Sequence, residues 1–225
     1  MISVVIPAFN EQRALPATLD RLYAQPGDFE VILVDGGSAD GTRRIAGRYD
    51  DLRIIDAPKG RASQMNAGAA VARGEWLLFL HADTLLPENA LARIAALPAE
   101  VQAGGFRHRF SGKGFGLRLV SLMDNIRCRA TRIIFGDQAM FVRRTLFRAL
   151  GGFPDVTRLE DVLFCDELVK RTKPMLLDQT VVTDSRKFVE QGVWRSLARV
   201  GVILLCVNLG RQLPGFSLRF FEDVR

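Results

Sequence analysis

The chain has 225 residues, 48% of them hydrophobic and 25% charged, and its formal net charge is +6 at pH 7. This composition excludes a disordered chain, and the length suffices for a domain with a buried core. Three widely spaced cysteines argue against a disulfide framework and favour a reducing, cytoplasmic compartment, and no apolar run reaches the ~18 residues of a membrane-spanning helix. The apolar start of the chain stops at Pro7, which predicts a first strand rather than a signal peptide.

Four short apolar runs alternate with helix-period segments in the first hundred residues. The predicted strands are 2–6, 29–34, 52–56 and 76–80, and the predicted helices are 11–24, 41–49, 62–72 and 88–97. Strands that are apolar on both faces and alternate with helices are typical of a parallel sheet that is covered on both sides. We therefore predict an α/β fold with a mainly parallel sheet.

After residue 100 the regular alternation of apolar runs and helix-period segments stops. The predicted elements are a strand 101–110, a basic amphipathic helix 115–133, a strand 138–142, helices 144–150 and 160–170, a strand 175–183 and a long apolar helix 193–213. No linker, low-complexity tract or internal repeat divides the sequence. We therefore predict a single domain over residues 1–225.

Polar residues stand directly after each of the first four predicted strands. The loops cover residues 7–11, 35–42, 59–61 and 81–83. Because the carboxyl ends of parallel strands meet at one edge of a sheet, we expect these loops to form one ligand site.

Two aspartates in these loops have chemistry that suits a nucleotide ligand. The carboxylate of Asp35 can accept hydrogen bonds from a base or a ribose. Asp35 could instead only cap the helix that follows, but Asp40 already supplies a cap for that helix. The hard carboxylate of Asp83 suits Mg²⁺ or Mn²⁺ that bridges two phosphates. His81 projects to the same side as Asp83, either as a second metal ligand or as a structural histidine.

A carboxylate pair and one arginine complete the candidate residues. Glu160 and Asp161 begin a predicted helix, where the helix dipole favours acidic residues and where a carboxylate could also act as a general base. Arg61 begins an earlier helix, where it would either face a phosphate group or extend into solvent.

Together these segments resemble the inverting family 2 glycosyltransferases, which have the A-type nucleotide-diphospho-sugar transferase fold. The segments that carry the resemblance are 4–11, 34–42, 60–68, 79–84 and 160–161, in the order and spacing of the family. The Gly-Arg-Ala-x-Gln-Met-Asn and His-Ala-Asp-Thr forms are similar to those of a small single-domain branch. The Gln-x-x-Arg-Trp motif of processive members is absent, which implies the transfer of a single sugar.

The resemblance implies a role for each matching residue. Asp161 matches the base that activates the acceptor hydroxyl, with Glu160 beside it. Asp83 matches the last aspartate of the Asp-x-Asp motif that binds Mn²⁺ or Mg²⁺, and His81 stands where the family usually has the first aspartate. The positions that match the nucleotide-sugar site are Pro7, Phe9, Glu11, Asp35, Gly60, Arg61 and Ala82.

The resemblance also implies two functional halves and two substrates. Residues 1–100 would bind a UDP- or GDP-sugar donor, and residues 101–225 would bind the acceptor. Residues 101–150 carry ten Lys or Arg and two Asp or Glu, whereas residues 1–100 carry ten and thirteen. We therefore expect an anionic or lipid-linked acceptor and a peripheral contact with the inner face of a membrane, while the apolar run 200–207 either packs in the core or lies at that interface.

Two other classes of protein are compatible with parts of the sequence. A nucleotidyltransferase would use a similar sheet, but it is expected to carry a glycine-rich, basic phosphate loop after the first strand, and residues 7–11 are not such a loop. A nucleic-acid-binding protein would explain the basic charge, but exposed aromatic residues do not alternate with the basic ones. We therefore expect no nucleic-acid partner.

Overall fold

The computed structural model describes residues 1–156 and 159–196 of the chain. Within those ranges, no helix is both long enough and apolar enough to cross a membrane. The apolar helix predicted over 193–213 is described only from 193 to 196, where the chain is helical. The rest of it, including the apolar run 200–207, lies outside the described residues.

The strands in the described part of the chain form one eight-stranded sheet with the order β3-β2-β1-β4-β7-β6-β8-β5. They are β1 Ile2–Ala8, β2 Phe29–Asp35, β3 Leu52–Asp56, β4 Trp76–Phe79, β5 Thr84–Leu85, β6 Ala103–Phe110, β7 Phe141–Arg143 and β8 Met175–Thr183. The four pairs β1–β2, β1–β4, β2–β3 and β6–β8 are parallel, which confirms the predicted α/β class with a mainly parallel sheet.

One reversed strand keeps the two halves of the sheet in the same direction. β7 is antiparallel to both β4 and β6, so β4 and β6 run parallel to each other although they are not neighbours. Since β8 is parallel to β6, the carboxyl ends of β1, β2, β3, β4, β6 and β8 all lie at one edge. Loops from both halves of the sequence therefore meet there.

Helices cover both faces of this sheet. They are α1 Leu15–Tyr23, α2 Thr42–Ala46, α3 Arg61–Val71, α4 Ala90–Ala95, α5 Phe115–Thr131, α6 Arg144–Ala149, α7 Glu160–Arg171 and α8 Arg186–Glu190. Ile2, Val4 and Ile6 of β1 pack in one core cluster with residues of α1 and α4. Val5 of the same strand packs in a second cluster with residues of α3, α6 and α7. The alternation along β1 thus buries both of its faces, as expected for a covered parallel sheet.

The structure corrects two predicted boundaries in the second half of the chain. The strand predicted over 138–142 begins only at Phe141, because Gly136–Gln138 forms a 3₁₀ helix and Ala139 has a left-handed φ of 47°. The helix predicted over 115–133 ends at Thr131, because Arg132 has a left-handed φ of 63°. β5 and α8 were not predicted, since two and five residues are too few for a periodic pattern.

Helix α3 packs closely on the sheet at Gly68. A Cβ atom at this position would overlap the side chains of Val5 on β1 and Val34 on β2. The glycine therefore sets the distance between α3 and the sheet, and with it the position of Arg61 at the start of the helix.

Replacing Gly68 with alanine should destabilise the protein by about 1–3 kcal/mol, because the added methyl group must displace Val5 or Val34 in a packed core. The free energy of unfolding in urea measures the effect. Gly47→Ala is the matched control, because Gly47 is exposed and has an ordinary φ of −67°, so its stability should change by less than about 0.5 kcal/mol. Equal losses in the two variants would contradict the packing argument.

Candidate functional site

Loops at the carboxyl ends of the strands surround an open cavity of about 830 Å³. Several residues selected from the sequence line this cavity, namely Pro7, Phe9, Glu11, Arg61, His81, Ala82 and Asp83. Four other selected residues, Asp35, Gly60, Glu160 and Asp161, do not line it directly.

One wall of the cavity is formed by the end of β1 and the loop after it. Phe9 presents an aromatic ring, and Lys59 Nζ lies 3.8 Å from the centre of that ring, within cation–π distance. Glu11 lies on the same wall and is buried. Together with Pro7, this wall combines the apolar surface of Phe9 with the carboxylate of Glu11.

Hydrogen bonds join this loop to the loop after β2. The Asn10 N–H donates to Ser38 Oγ at 2.9 Å, and the Ala39 N–H donates to Asn10 Oδ1 at 2.9 Å. The Glu11 N–H donates to Thr42 Oγ1 at 2.7 Å. Asn10 has a left-handed φ of 57°, which asparagine adopts more readily than most residues. The two loops are therefore fixed to each other.

Asp35 lies behind the cavity, where its carboxylate has protein partners. Its side chain is 1% exposed, and Oδ2 accepts from the Ser38 N–H at 3.2 Å and from Arg43 Nη1 at 3.1 Å. These bonds hold the loop after β2. The ligand-binding role inferred from the sequence stays a prediction.

Gln64 fastens the start of α3 to the sheet. Its Nε2 donates to the carbonyl oxygens of Ala8 and Val34, both at 2.8 Å. Its Oε1 accepts from the Gly60 N–H at 3.4 Å, and Gly60 has a φ of 151°, which favours glycine. Arg61, the next residue, is thereby held beside the ends of β1 and β2.

The guanidinium of Arg61 lies among carboxylates. Its Nη1 is 3.8 Å from Glu160 Oε1. Desolvation opposes the charge, but the carboxylates of Glu160 and Asp161 raise the pKa of Arg61, and those of Asp83 and Asp137 add to the effect. In turn, burial raises the pKa of Glu160, and the charge of Asp161 raises it further. Arg61 is therefore a permanent cation that offsets several acidic groups.

The carboxylate of Asp161 is held by backbone donors. Its Oδ2 accepts from the Gly136 N–H at 2.7 Å, and its Oδ1 accepts from the Val162 N–H at 2.8 Å. A Cβ atom on Gly136 would lie 2.6 Å from His81 Nε2 and 3.4 Å from Asp161 Oδ2. The glycine thus allows His81, which lines the cavity, and Asp161 to approach the same point of the backbone.

Asp137, to which the sequence assigned no role, lies in the 3₁₀ helix Gly136–Gln138. His108 on β6 is buried, and its Nε2 is 3.6 Å from Asp137 Oδ2. Burial raises the pKa of Asp137 to about 6, an effect that His108 opposes and that Asp124 and Asp161 reinforce. A second carboxyl group with a raised pKa therefore lies close to Asp161.

The two predicted metal ligands, Asp83 and His81, differ in how well they are placed to bind a metal ion. Asp83 and His81 both line the cavity, but nowhere in ranges 1–156 and 159–196 do three His, Cys, Asp or Glu side chains enclose a possible metal position. Mg²⁺ is typically bound by one or two carboxylates together with substrate phosphates. The carboxylate of Asp83 fits this mode, whereas His81 Nε2 is buried against Gly136.

Residues after β8 also line the cavity and were missed in the sequence. They are Asp184, Arg186 and Glu190. The Asp184 N–H donates to the Asp83 carbonyl oxygen at 3.0 Å, and Asp184 Oδ2 accepts from Arg186 Nε at 2.7 Å. These residues follow the carboxyl end of β8, which is parallel to β6 and, through the reversed β7, also to β4. Their place at the cavity could have been predicted only if the direction of β8 had been known.

The basic residues of 101–150 do not share one face. Arg143 pairs with Glu75 and lies 4.0 Å from the centre of the Trp76 ring, and Arg144 Nε donates to the Gly74 carbonyl oxygen at 2.7 Å. Since β4 begins at Trp76, these two arginines lie at the opposite end of the strand from the cavity. These two arginines therefore do not contribute to the walls of the cavity.

Sequence comparison identifies a family and a relative. The profile described as Glycosyl transferase family 2 matches residues 3–150. A protein of Mycobacterium bovis described as a PGL/p-HBAD biosynthesis glycosyltransferase is 38% identical over 170 residues, which cover 68% of this chain and 63% of that protein. The chain thus spans less than two thirds of the length of this curated relative.

Solved structures share the architecture. Mannosyltransferase PcManGT from Pyrobaculum calidifontis, in complex with GDP-Man and Mn²⁺, superposes with a TM-score of 0.70 at 22% identity, over 98% of this chain and 67% of that chain. S. aureus TarS 1-349 in complex with UDP-GlcNAc gives a TM-score of 0.67 at 19% identity, over 90% of this chain and 66% of that chain. This likeness confirms the A-type fold that the sequence resemblance implied.

Asp137→Asn should stabilise the protein at neutral pH by up to about 3 kcal/mol, because a carboxyl group whose folded-state pKa is raised to about 6 costs stability once it ionises. The folded state binds this proton more tightly than the unfolded state, so wild-type stability falls as pH rises from about 4 to about 6. The difference between variant and wild type should grow over that window and then level off. Urea unfolding at several pH values measures it, with the exposed Asp51→Asn as control. A pH-independent difference would contradict the assignment.

Proposed function

The chain belongs to glycosyl transferase family 2, and we propose that it moves one sugar from a nucleotide-diphospho-sugar to an acceptor hydroxyl, with inversion at the anomeric carbon. The observation that carries this proposal is electrostatic. A permanently charged arginine, Arg61, lines the cavity together with Asp83, and the pair Glu160 and Asp161 acts on the same guanidinium. A site of this kind can bind a diphosphate and deprotonate a hydroxyl in one place.

The donor would bind along the wall formed by β1 and the start of α3. Phe9 and Pro7 offer apolar surface to a nucleoside, and the carboxylate of Glu11 can accept a hydrogen bond from it. Arg61 would contact the diphosphate, for which a guanidinium is well suited. The ligands of the two similar structures, GDP-Man and UDP-GlcNAc, support a GDP- or UDP-sugar as donor.

Asp161 would act as the general base. As the acceptor oxygen attacks the anomeric carbon, the carboxylate takes the hydroxyl proton, and the bond to the diphosphate oxygen breaks on the opposite side of the carbon. The N–H groups of Gly136 and Val162 orient the carboxylate for this transfer. Glu160, which is buried beside Arg61, would position the guanidinium rather than touch the acceptor.

Asp83 would be the main protein ligand of Mn²⁺ or Mg²⁺, with His81 as the second candidate. When bound, the ion supplies positive charge that stabilises the leaving diphosphate. Mn²⁺ is present in the similar mannosyltransferase structure. The carboxylate of Asp83 lies on the same cavity as Arg61, so both would act on the same diphosphate.

The proposed acceptor and cellular location rest on the sequence alone. An anionic or lipid-linked acceptor and a cytoplasmic enzyme with peripheral membrane contact are the predictions made from the basic and apolar segments after residue 100.

GDP or UDP at about a hundred times its dissociation constant should raise the melting temperature by about 5–10 °C, because binding to the folded state adds about 2.7 kcal/mol of stability. The shift should be larger with Mn²⁺ than without it. Asp83→Ala should lose the part that depends on Mn²⁺ and keep the rest. If neither nucleotide raises the melting temperature, the donor assignment is wrong.

Asp83→Ala and Asp161→Asn should each lower sugar transfer by roughly 10²–10⁴-fold, because one removes a metal ligand and the other removes the base. The assay follows labelled sugar from the donor that gives the largest thermal shift to a panel of alcohols and lipid extracts. Asp51→Asn, an exposed aspartate before β3, is the matched control and should keep full activity. Normal transfer by Asp161→Asn, with an unchanged melting temperature, would remove this residue from the mechanism.

A further inference from the structure

Helix α5 carries apolar side chains on two opposite faces. Its inner face contributes residues such as Leu117 to the buried core. On its outer face Phe115 is 75% exposed, Leu122 is 56% exposed, Met123 is 50% exposed and Ile126 is 58% exposed. Spacings of seven and four residues place three of these on one line along the helix. We call these four exposed residues the α5 stripe.

Basic side chains and a tryptophan border the α5 stripe. Lys113 precedes the helix and is exposed, and Arg118 and Arg129 are exposed on one flank of it, three turns apart. Trp194 is 61% exposed, and its Cζ2 lies 3.7 Å from the point that a Cβ atom on Gly116 would occupy. The surface therefore combines a continuous apolar line with cationic edges and an amphipathic aromatic ring.

We propose that the α5 stripe docks on the surface of an anionic lipid bilayer. A helix with apolar side chains on two opposite faces is ordinarily covered on both, and here the described chain covers only one. Apolar side chains can enter the boundary between headgroups and acyl chains while lysine and arginine contact anionic headgroups. A tryptophan at the edge suits this boundary, because its ring is apolar and its N–H is polar.

Charge distinguishes a bilayer from the two other possible occupants. A second copy of the chain would bring the basic rim of one α5 stripe beside the same basic rim of the other. Residues 197–225 carry four arginines and two acidic residues, so this segment would add positive charge to a positive rim. An anionic bilayer supplies the opposite charge.

Flotation of the full-length protein with vesicles tests this proposal. The vesicles contain phosphatidylcholine alone, or three parts of it with one part phosphatidylglycerol. The parent protein should float with the anionic vesicles, and Leu122→Gln combined with Ile126→Gln should lower the bound fraction by about tenfold. Leu163→Gln combined with Met175→Gln is the matched control, because these side chains are 41% and 36% exposed elsewhere. Lys113→Gln with Arg118→Gln should lower binding to anionic vesicles only.

Each remaining outcome contradicts the proposal. If the parent protein does not float, or if the stripe variant floats as well as the parent, a bilayer is not the partner. If the stripe variant changes a dimer into a monomer in light scattering and leaves flotation unchanged, the stripe is a contact between copies. If it lowers the melting temperature by several degrees without affecting flotation, the chain's own segment covers the stripe. Since the stripe does not line the cavity, donor binding should be the same in all variants.

Discussion

The position of Arg61 on the cavity depends on α3 being fixed to the ends of two parallel strands, and the amide of Gln64 makes that connection. Its nitrogen donates to the carbonyl oxygens of Ala8 and Val34, and its oxygen accepts from the Gly60 N–H. The amide is buried, so any movement of α3 along the sheet would leave polar groups without partners, at about 1–3 kcal/mol for each. Gly68 brings the same helix close to the sheet about one turn after Gln64.

Acidic groups that would repel one another lie around Arg61. Burial raises the pKa of Glu160 and that of Asp137, so both are harder to ionise than a carboxyl group in water. Arg61 offsets this repulsion from the first residue of α3, so the residue proposed to contact the donor diphosphate also stabilises these acidic groups. The placement of α3 therefore sets both the position of Arg61 on the cavity and the electrostatics of the proposed base.

The first half of the molecule was predictable because its physical signals are local. Apolar runs separated by helix-period segments determine β1 to β4 and α1 to α4, and in a parallel sheet the position of a loop follows from the strand before it. The second half depends on long-range pairing. The direction of β7, and through it that of β8, decides whether Asp184 reaches the cavity, and no local pattern contains this information. Likewise, Gly136 and Asp137 acquire importance only through their contacts with Asp161 and His108, which are distant in sequence.

The hydrogen bonds between the loops after β1 and β2 have a consequence for how donor preference can change. Asn10 binds both Ser38 and Ala39, and Glu11 is held by Thr42, so neither loop keeps its shape without the other. The entropy cost of ordering this wall is incurred when the protein folds and not when a nucleotide binds. Exchanging one loop alone, to alter the nucleoside contact proposed at Phe9, would break these shared bonds. The two loops form a single structural unit, and a graft from another enzyme would have to transplant both.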